Sequence, residues 1–190
     1  MQRKEVCWNI TTKCNQNCRY CHRFLGINDL CYEENEKILD NLIKDGITDI
    51  TWTGGEALLY PNLIGLLKRA KQSGINNKLI TNGMLLAQND EIKEICNYLD
   101  SLTLSIDSTN NETNAELGRG INHYDNIKTI LDYVKDKELK LNINTVVSKK
   151  NINQLDELGN FLNKYNISSW RVFQFMPLRE TAEKNKEQFE

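Results

Sequence analysis

The residues with the clearest capacity for chemistry are three cysteines in one short stretch, Cys14, Cys18 and Cys21. Their spacing allows a single loop to wrap all three thiols around one inorganic centre. Thiolates ligate iron–sulfur clusters, and a cubane cluster takes four ligands in all. A set of three cysteines therefore leaves one iron open to bind a small molecule, much as a catalytic zinc site keeps one position free for substrate.

The same stretch, taken alone, is open to three other interpretations. It can form a zinc site with His22 as the fourth ligand, a disulfide, or unligated buried thiols. The sequence starts without a long apolar segment and carries no apolar run of membrane-spanning length, which predicts a cytoplasmic protein with reduced thiols. Clustered cysteines then indicate a metal, whereas Cys7, Cys31 and Cys96 are interpreted as structural thiols.

Length and charge narrow the possible partners. The 190 residues suit one domain that can bury a proper core. The 24 basic and 26 acidic residues nearly balance, so no global field predicts binding to nucleic acid or to a membrane surface. We expect neither nucleic acid nor a membrane as a partner.

Strand and helix patterns alternate along the chain with little between them. Runs of β-branched residues predict strands, and apolar residues at helical spacing predict the helices that separate them. The predicted strands are 6–10, 47–53, 78–81, 102–106, 139–147 and 170–175, and the predicted helices are 33–45, 62–73, 90–98, 124–136 and 153–165. This alternation favours an α/β fold with a parallel sheet, but it does not separate a partial barrel from a flat, doubly wound sheet. In both architectures the reacting residues lie at the carboxyl ends of the strands.

Candidate functional residues follow the second and third predicted strands directly. After the second strand comes Gly54-Gly55-Glu56, where two glycines permit close approach of the backbone and the carboxylate can accept from an ammonium group. After the third strand comes Asn82-Gly83. Each motif is also what an ordinary turn contains, so neither is specific when taken alone.

The fourth predicted strand ends in two further polar candidates. Ser105 and Asp107 fall on the same side of the strand, so both can face its carboxyl end, although Asp107 also suits a helix cap. Arg119 follows between two glycines and presents a fork of donors suited to a carboxylate. The alternative for Arg119 is an ordinary exposed surface arginine.

The spacing Cys-x3-Cys-x2-Cys, followed in order by Gly54-Gly55-Glu56, resembles the signature of the radical S-adenosylmethionine (SAM) enzymes. The resemblance implies a (β/α)6 partial barrel in which Cys14, Cys18 and Cys21 hold a 4Fe–4S cluster whose open iron chelates SAM. It also implies an electron donor such as flavodoxin or ferredoxin, and cleavage of SAM to a 5′-deoxyadenosyl radical that takes a hydrogen atom from substrate. The family usually has proline at the position of Ala57.

The same resemblance implies cofactor contacts at the strand ends. Ser105 and Arg119 correspond to residues that contact SAM, and Asn144, Phe173 and Phe175 complete the expected adenosine pocket, although both phenylalanines equally suit the core. The full set of expected cofactor contacts is Gly54, Gly55, Glu56, Asn82, Ser105, Arg119, Asn144 and Phe175.

From residue 102 to about 175 the chain is similar to the viperin-like enzymes, the radical SAM nucleotide dehydratases. The segments that carry this similarity are 105–108, 118–120, 122–123, 143–147 and 170–174. Such enzymes convert a nucleoside triphosphate to its 3′-deoxy-3′,4′-didehydro form, and the products terminate viral RNA synthesis. The resemblance therefore implies a nucleoside triphosphate as substrate and an antiviral role.

A triphosphate substrate requires cations near the strand ends. The candidates are Arg23 after the cysteine loop, Lys149 and Lys150 after the fifth strand, and Arg179 after the sixth. Each of them also suits an ordinary solvated surface charge.

Two departures from the viperin-like pattern leave other assignments open. His22 stands where those enzymes usually have an aromatic residue, and the sequence ends at Glu190, before the segment that closes over the nucleotide. We expect a core domain over 1–178 and, in 179–190, a charged tail that begins a C-terminal extension. The alternatives are a peptide-modifying or molybdopterin-precursor type of radical SAM enzyme, or a non-catalytic metal-binding module.

Overall fold

Six strands form one sheet in the computed structural model, which describes residues 3–24 and 26–190. The strands are β1 (Glu5–Thr11), β2 (Asp49–Gly54), β3 (Asn76–Thr81), β4 (Ser101–Ser105), β5 (Lys140–Val147) and β6 (Ile167–Gln174). All neighbouring strands are parallel, and they lie in the order β1-β2-β3-β4-β5-β6. The predicted α/β fold, a (β/α)6 arrangement with an open parallel sheet, is confirmed.

Helices join the successive strands, as parallel neighbours require. They are α1 (Tyr32–Lys44), α2 (Leu63–Gln72), α3 (Met84–Gln88), α4 (Asp90–Lys93), α5 (Asn111–Glu116), α6 (His123–Val134), α7 (Leu155–Leu162), α8 (Arg179–Lys184) and α9 (Lys186–Phe189). Short 3-10 helices lie at Ala57–Leu59, Glu94–Tyr98 and Ile152–Gln154. Within the ranges described, no helix is long and apolar enough to cross a bilayer.

The main core lies between one face of the sheet and the helices. Trp52 on β2 is fully buried and stacks on Trp8 of β1, with ring centroids 5.1 Å apart. The apolar residues at helical spacing in α2 and α6 face this core, where Leu66, Leu67, Ile127, Ile130 and Leu131 are buried. Each fully buried side chain of this size contributes about 1.5–3 kcal/mol, so this apolar layer supplies most of the stability of the scaffold.

The structure differs from the sequence prediction between β3 and β5. The single helix predicted over 90–98 is a short α-helix, Asp90–Lys93, followed by a 3-10 helix, and α3 precedes both. Helix α5 was not predicted, because its polar sequence has no apolar period. Its first turn is instead capped by the side chain of Asn110, which accepts from the backbone N–H of Thr113 at 3.0 Å.

Residues 179–190 fold against the cysteine loop. Phe189 is fully buried, and its ring centroid lies 5.7 Å from that of Phe175. Together with Tyr20 and Leu117 these rings form a second, smaller core. The backbone N–H of Lys149 donates to the Phe189 carbonyl at 3.1 Å, which ties the segment to the end of β5. The charged tail thus has a packed apolar side, and a domain boundary at residue 178 stays a prediction.

Candidate functional site

The cysteine loop lies between β1 and α1 and is held by the backbone of two other loops. The N–H groups of Asn17 and Arg19 donate to the carbonyls of Gly118 and Leu117 at 3.1 and 3.0 Å. On the other side, the N–H groups of Gly55 and Glu56 donate to the carbonyls of Thr11 and Lys13 at 2.8 Å each. These contacts matter because the loop itself has no helix or strand to satisfy its backbone groups.

Two of the motif glycines are required by close backbone approach. A Cβ on Gly118 would lie 2.2 Å from the Asn17 carbonyl oxygen, and its φ of +86° is left-handed. A Cβ on Gly55 would lie 2.2 Å from the Lys13 carbonyl oxygen. We expected such glycines to bring the backbone close to a ligand. In the structure they bring it close to the cysteine loop, while the predicted contacts of Gly54 and Gly55 with SAM stay predictions.

The three cysteine thiols share one loop, and two of their sulfurs accept backbone hydrogen bonds. The N–H of Gln16 reaches the Cys14 sulfur at 3.5 Å, and the N–H of Arg23 reaches the Cys21 sulfur at 3.4 Å. Across the described part of the chain, no three metal-ligating side chains are already arranged around a common point. Hydrogen bonds to cysteine sulfur are typical of iron–sulfur ligands, so this donor set fits a cluster.

Burial keeps the thiols of Cys14 and Cys18 protonated in the absence of a metal. It raises the pKa of the Cys18 thiol to about 11 and raises the pKa of Cys14 in the same direction. A metal replaces thiol protons when it binds, so assembly of a cluster here releases protons. The remaining thiols lie elsewhere, with Cys96 buried and Cys7 and Cys31 exposed.

Glu56 is a buried carboxylate that ties the end of β2 to the end of β3. It is 1% exposed and accepts hydrogen bonds from Thr81 Oγ1 and from the backbone N–H of Asn82, each at 2.8 Å. Leu58 N–H donates to it at 3.2 Å. Burial raises the Glu56 pKa, since these three donors offset only part of the desolvation. A carboxylate has about four acceptor positions, so one remains for an ammonium group.

Asn82 reaches directly into the cysteine loop. Its side-chain amide donates to Asn15 Oδ1 at 2.7 Å and lies 3.9 Å from the Cys14 sulfur. Its own oxygen accepts from the Met84 N–H at 3.0 Å, which fixes the amide orientation. The Nδ2 group of Asn15 is buried without a partner among the residues described. An unpaired buried donor beside Cys14 is where a polar ligand group fits.

Arg119 is buried and paired with Asp107. Its Nε donates to the Asp107 carboxylate, and its guanidinium lies 5.5 Å from the centre of the Tyr20 ring. Arg119 is 6% exposed, which excludes the alternative of a surface arginine. Burial disfavours the charged guanidinium, but the adjacent Asp107 carboxylate outweighs that effect and raises the Arg119 pKa. A permanently charged arginine beside Cys18 is compatible with the predicted contact of Arg119 with SAM, which stays a prediction.

The remaining expected cofactor contacts lie at the end of β4, within β5 and directly after β6. Ser105 and Asn144 are register partners across β4 and β5. The buried Oδ1 of Asn144 has no partner within the described chain, so it offers a free acceptor beside Ser105. Phe175 is 4% exposed and packs in the smaller core, which favours the core interpretation. Phe173 is 47% exposed and lines a cavity instead.

The four cations expected to bind phosphate separate into two groups. Arg23 and Arg179 line one cavity of ≈490 Å³ together with Cys21, and the Arg179 guanidinium lies 3.7 Å from the centre of the Phe24 ring. Lys150 instead pairs with Glu116 at 3.3 Å. Lys149 is exposed. The structure therefore brings two of the four together beside a cysteine of the loop.

Some polar residues of the site were not predicted. Gln16 and His123 are both buried and contact each other behind the cysteine loop. Arg171 and Lys140 line a separate polar cavity of ≈810 Å³ near the amino ends of the strands. Strand alternation could have found Arg171, which is the register partner of Asn144, whereas the contact of Gln16 with His123 joins residues 107 positions apart.

An open parallel α/β sheet with a three-cysteine loop at the carboxyl ends of its strands is the arrangement expected of a metal-dependent α/β enzyme. The family model described as the Radical SAM superfamily matches residues 8–162, and the chain belongs to this superfamily. The cofactors expected from the sequence, a 4Fe–4S cluster and SAM, are those of the superfamily, and the donor set described above fits both.

Relatives and solved structures agree with this assignment. A Flammeovirga pacifica protein named S-adenosylmethionine-dependent nucleotide dehydratase is 34% identical over 186 residues, covering 92% of this chain and 63% of that protein. A Limosilactobacillus fermentum GTP 3′,8-cyclase is 29% identical over 196 residues, covering 95% and 57%. Streptococcus suis SuiB bound to S-adenosylmethionine matches with a TM-score of 0.80 and 22% identity, covering 95% and 42%, which shows the fold. The chain thus spans less than two thirds of the length of these relatives.

Gly118 provides a direct test of how the cysteine loop is held. Gly118→Ala places a methyl group against the Asn17 carbonyl, whereas Gly74→Ala has the same left-handed φ with nothing within 4 Å. We expect Gly74→Ala to cost about 1–2 kcal/mol from the backbone conformation alone. Gly118→Ala adds an overpacking cost of about 1–3 kcal/mol and lowers iron loading. Urea unfolding measures the loss of stability, and iron analysis measures the loading. Equal effects of Gly118→Ala and Gly74→Ala would contradict the role of Gly118 in holding the cysteine loop.

The buried His123 predicts a pH-dependent stability. Burial first, and then the Arg119 charge, lower its pKa from 6.5 to about 4. Between these values the unfolded chain binds more protons than the folded one, so stability falls as pH decreases from 6.5 to 4. The free energy of unfolding falls by about 3 kcal/mol over this pH range. His123→Gln removes this contribution to the pH dependence of stability. Urea unfolding of the cluster-free protein at several pH values measures it, and parallel pH profiles for the two proteins would refute it.

Proposed function

We propose that this chain catalyses the radical dehydration of a nucleoside triphosphate to its 3′-deoxy-3′,4′-didehydro form. The observation that carries this proposal is the cavity of ≈490 Å³ shared by Arg23, Arg179 and Cys21. Guanidinium forks match the geometry of phosphate oxygens, and here two of them border a cysteine of the loop. The similarity to a protein named S-adenosylmethionine-dependent nucleotide dehydratase supports the same substrate class.

The residues of the site have separate roles in this reaction. Cys14, Cys18 and Cys21 would hold the cluster, and the bound cluster and SAM would supply the radical chemistry that removes the 4′ hydrogen of the ribose. Loss of the C3′ hydroxyl as water, with one further electron, would complete the dehydration. Glu56 offers its remaining acceptor position to the ammonium group of SAM, and Arg119 offers its positive charge to the carboxylate. The burial of both groups keeps water away, which strengthens these contacts. Ser105 and Asn144 face the adenosine portion.

A second cationic cavity lies at the opposite end of the sheet. Lys140 and Arg171 line the polar cavity of ≈810 Å³ together with several carboxylates, near the amino ends of the strands. The proposed SAM contacts lie toward the carboxyl ends, so this cavity does not suit the substrate phosphates. We therefore assign the phosphates to Arg23 and Arg179.

The remaining partners of this reaction are also proposals. An external donor such as flavodoxin or ferredoxin would supply one electron for the cleavage of SAM and a second electron to complete the loss of the C3′ hydroxyl. Reduced thiols throughout the described chain are consistent with a cytoplasmic location. Lys149 and Lys150 remain candidate phosphate contacts through movement of their exposed side chains. Residues 1–178 form the core domain in this proposal, and 179–190 begin a C-terminal extension.

Product analysis tests the proposed reaction. The cluster is reconstituted anaerobically and incubated with SAM, dithionite and CTP, UTP, GTP, ATP or no nucleotide. We expect one triphosphate to accelerate formation of 5′-deoxyadenosine and to yield a product that has lost one water. A cyclised product from GTP alone would instead favour the type of activity named for the Limosilactobacillus fermentum relative. Equal slow 5′-deoxyadenosine formation in every sample would contradict the dehydratase proposal.

Arginine variants locate the phosphates. Arg23→Gln and Arg179→Gln each lose a charge-assisted contact, so we expect each to raise the KM for the nucleotide about 10-fold or more with little change in SAM binding. Lys128→Gln is the matched control, because Lys128 is exposed on α6, pairs with Asp132 and lies outside the proposed site. Normal KM values for both Arg23→Gln and Arg179→Gln would contradict this assignment of the phosphates.

A further inference from the structure

A series of buried polar contacts connects Cys18 to the end of β4. The Cys18 sulfur lies 3.7 Å from Gln16 Oε1, and Gln16 Nε2 lies 3.2 Å from His123 Nδ1. His123 Nε2 in turn lies 2.8 Å from the Ser105 carbonyl oxygen. Gln16 is 6% exposed and His123 is 1% exposed, so water does not compete for these groups. This series of contacts thus connects one cysteine of the loop to the backbone of the sheet.

The direction of every hydrogen bond in this series follows from the Ser105 carbonyl. A carbonyl oxygen only accepts, so His123 Nε2 must carry the proton. Buried and beside the charged Arg119, His123 is neutral, because these surroundings lower its pKa to about 4. A neutral imidazole has only one N–H, so Nδ1 accepts from the Gln16 amide. The Gln16 oxygen, and not its NH2 group, therefore faces the Cys18 sulfur.

This orientation makes Cys18 unlike the other two cysteines. The sulfurs of Cys14 and Cys21 each accept a backbone N–H, at 3.5 and 3.4 Å. Cys18 instead faces the negative end of an amide dipole at 3.7 Å. Hydrogen bonds to cysteine sulfur are among the factors that set the reduction potential of a cluster. A negative dipole in a buried site disfavours the addition of an electron.

We propose that His123 is a positioning residue that holds the Gln16 amide oxygen toward Cys18 and thereby keeps the reduction potential of the cluster low. Without the acceptor at Nδ1, the Gln16 amide is free to turn and to donate its NH2 group to the Cys18 thiolate. That new donor stabilises the reduced cluster and raises its midpoint potential. The proposal rests on the ligation of the cluster by Cys18 and does not depend on the nucleotide substrate.

Two substitutions at His123 separate this role from a merely structural one. The oxygen of His123→Asn stands near the place of Nδ1, so this variant keeps the acceptor for Gln16 and loses the donor to Ser105. The amide nitrogen of His123→Gln stands near the place of Nε2, so it keeps the donor to Ser105 and loses the acceptor. The readout is the midpoint potential of the reconstituted cluster, from a titration followed by electron paramagnetic resonance without substrate.

The proposal predicts a specific order of potentials. We expect His123→Gln to shift the midpoint to a more positive value and His123→Asn to stay close to the wild-type protein. Gln16→Leu, which removes the amide oxygen, also shifts the midpoint to a more positive value. In the Gln16→Leu background, His123→Gln then causes no further shift.

Three results would overturn the proposal. The first is a shift in His123→Asn with none in His123→Gln, which would assign the effect to the Ser105 contact. The second is a His123→Gln shift that persists in the Gln16→Leu background. The third is an unchanged potential in Gln16→Leu, which also decides the matter if a His123 variant fails to take up a cluster.

Discussion

The site depends on the hydrogen bonds that the buried carboxylate of Asp107 accepts. Asp107 is 0% exposed and accepts from the Tyr20 hydroxyl, from Arg119 Nε and, at 2.8 Å, from the backbone N–H of Val146. These donors come from the cysteine loop, from the loop after α5 and from β5. A buried charge is tolerated only when it is paired and hydrogen-bonded. Removal of any one donor would leave the carboxylate underpaired, so Asp107 binds three separate segments into one arrangement.

The polar groups at the strand ends are organised by an apolar scaffold beneath them. Leu79, Leu102 and Ile143 fix the register of the central strands by packing on the helix side of the sheet. That register places Thr81 and Ser105 at neighbouring strand ends, where the loops of the site begin. The smaller core around Phe175 and Phe189 then closes the underside of the cysteine loop. The buried apolar residues along the strands thus provide stability, and the residues at the carboxyl ends provide the chemistry.

Local motifs and periodicity could be predicted from the sequence, and long-range pairing could not. The six strands and the cysteine loop have short-range signatures, so they were found where the structure places them. Glu56 was predicted as an acceptor, but its donors at Thr81 and Asn82 lie 25 and 26 residues away. The contact between Gln16 and His123 spans 107 residues and depends on the whole sheet being formed. Phe175 is buried in the smaller core, where Phe189 of the C-terminal segment packs beside it.

Iron content after anaerobic reconstitution, measured together with the electron paramagnetic resonance spectrum, tests the central claim most directly. If Cys14, Cys18 and Cys21 hold a 4Fe–4S cluster with one open iron, Cys18→Ala abolishes the signal of the reduced cluster. Cys7→Ala and Cys31→Ala retain it, and added SAM changes the spectrum of the wild-type protein. A cluster that survives Cys18→Ala and is lost in Cys7→Ala, or stable zinc binding in place of iron, would contradict the account.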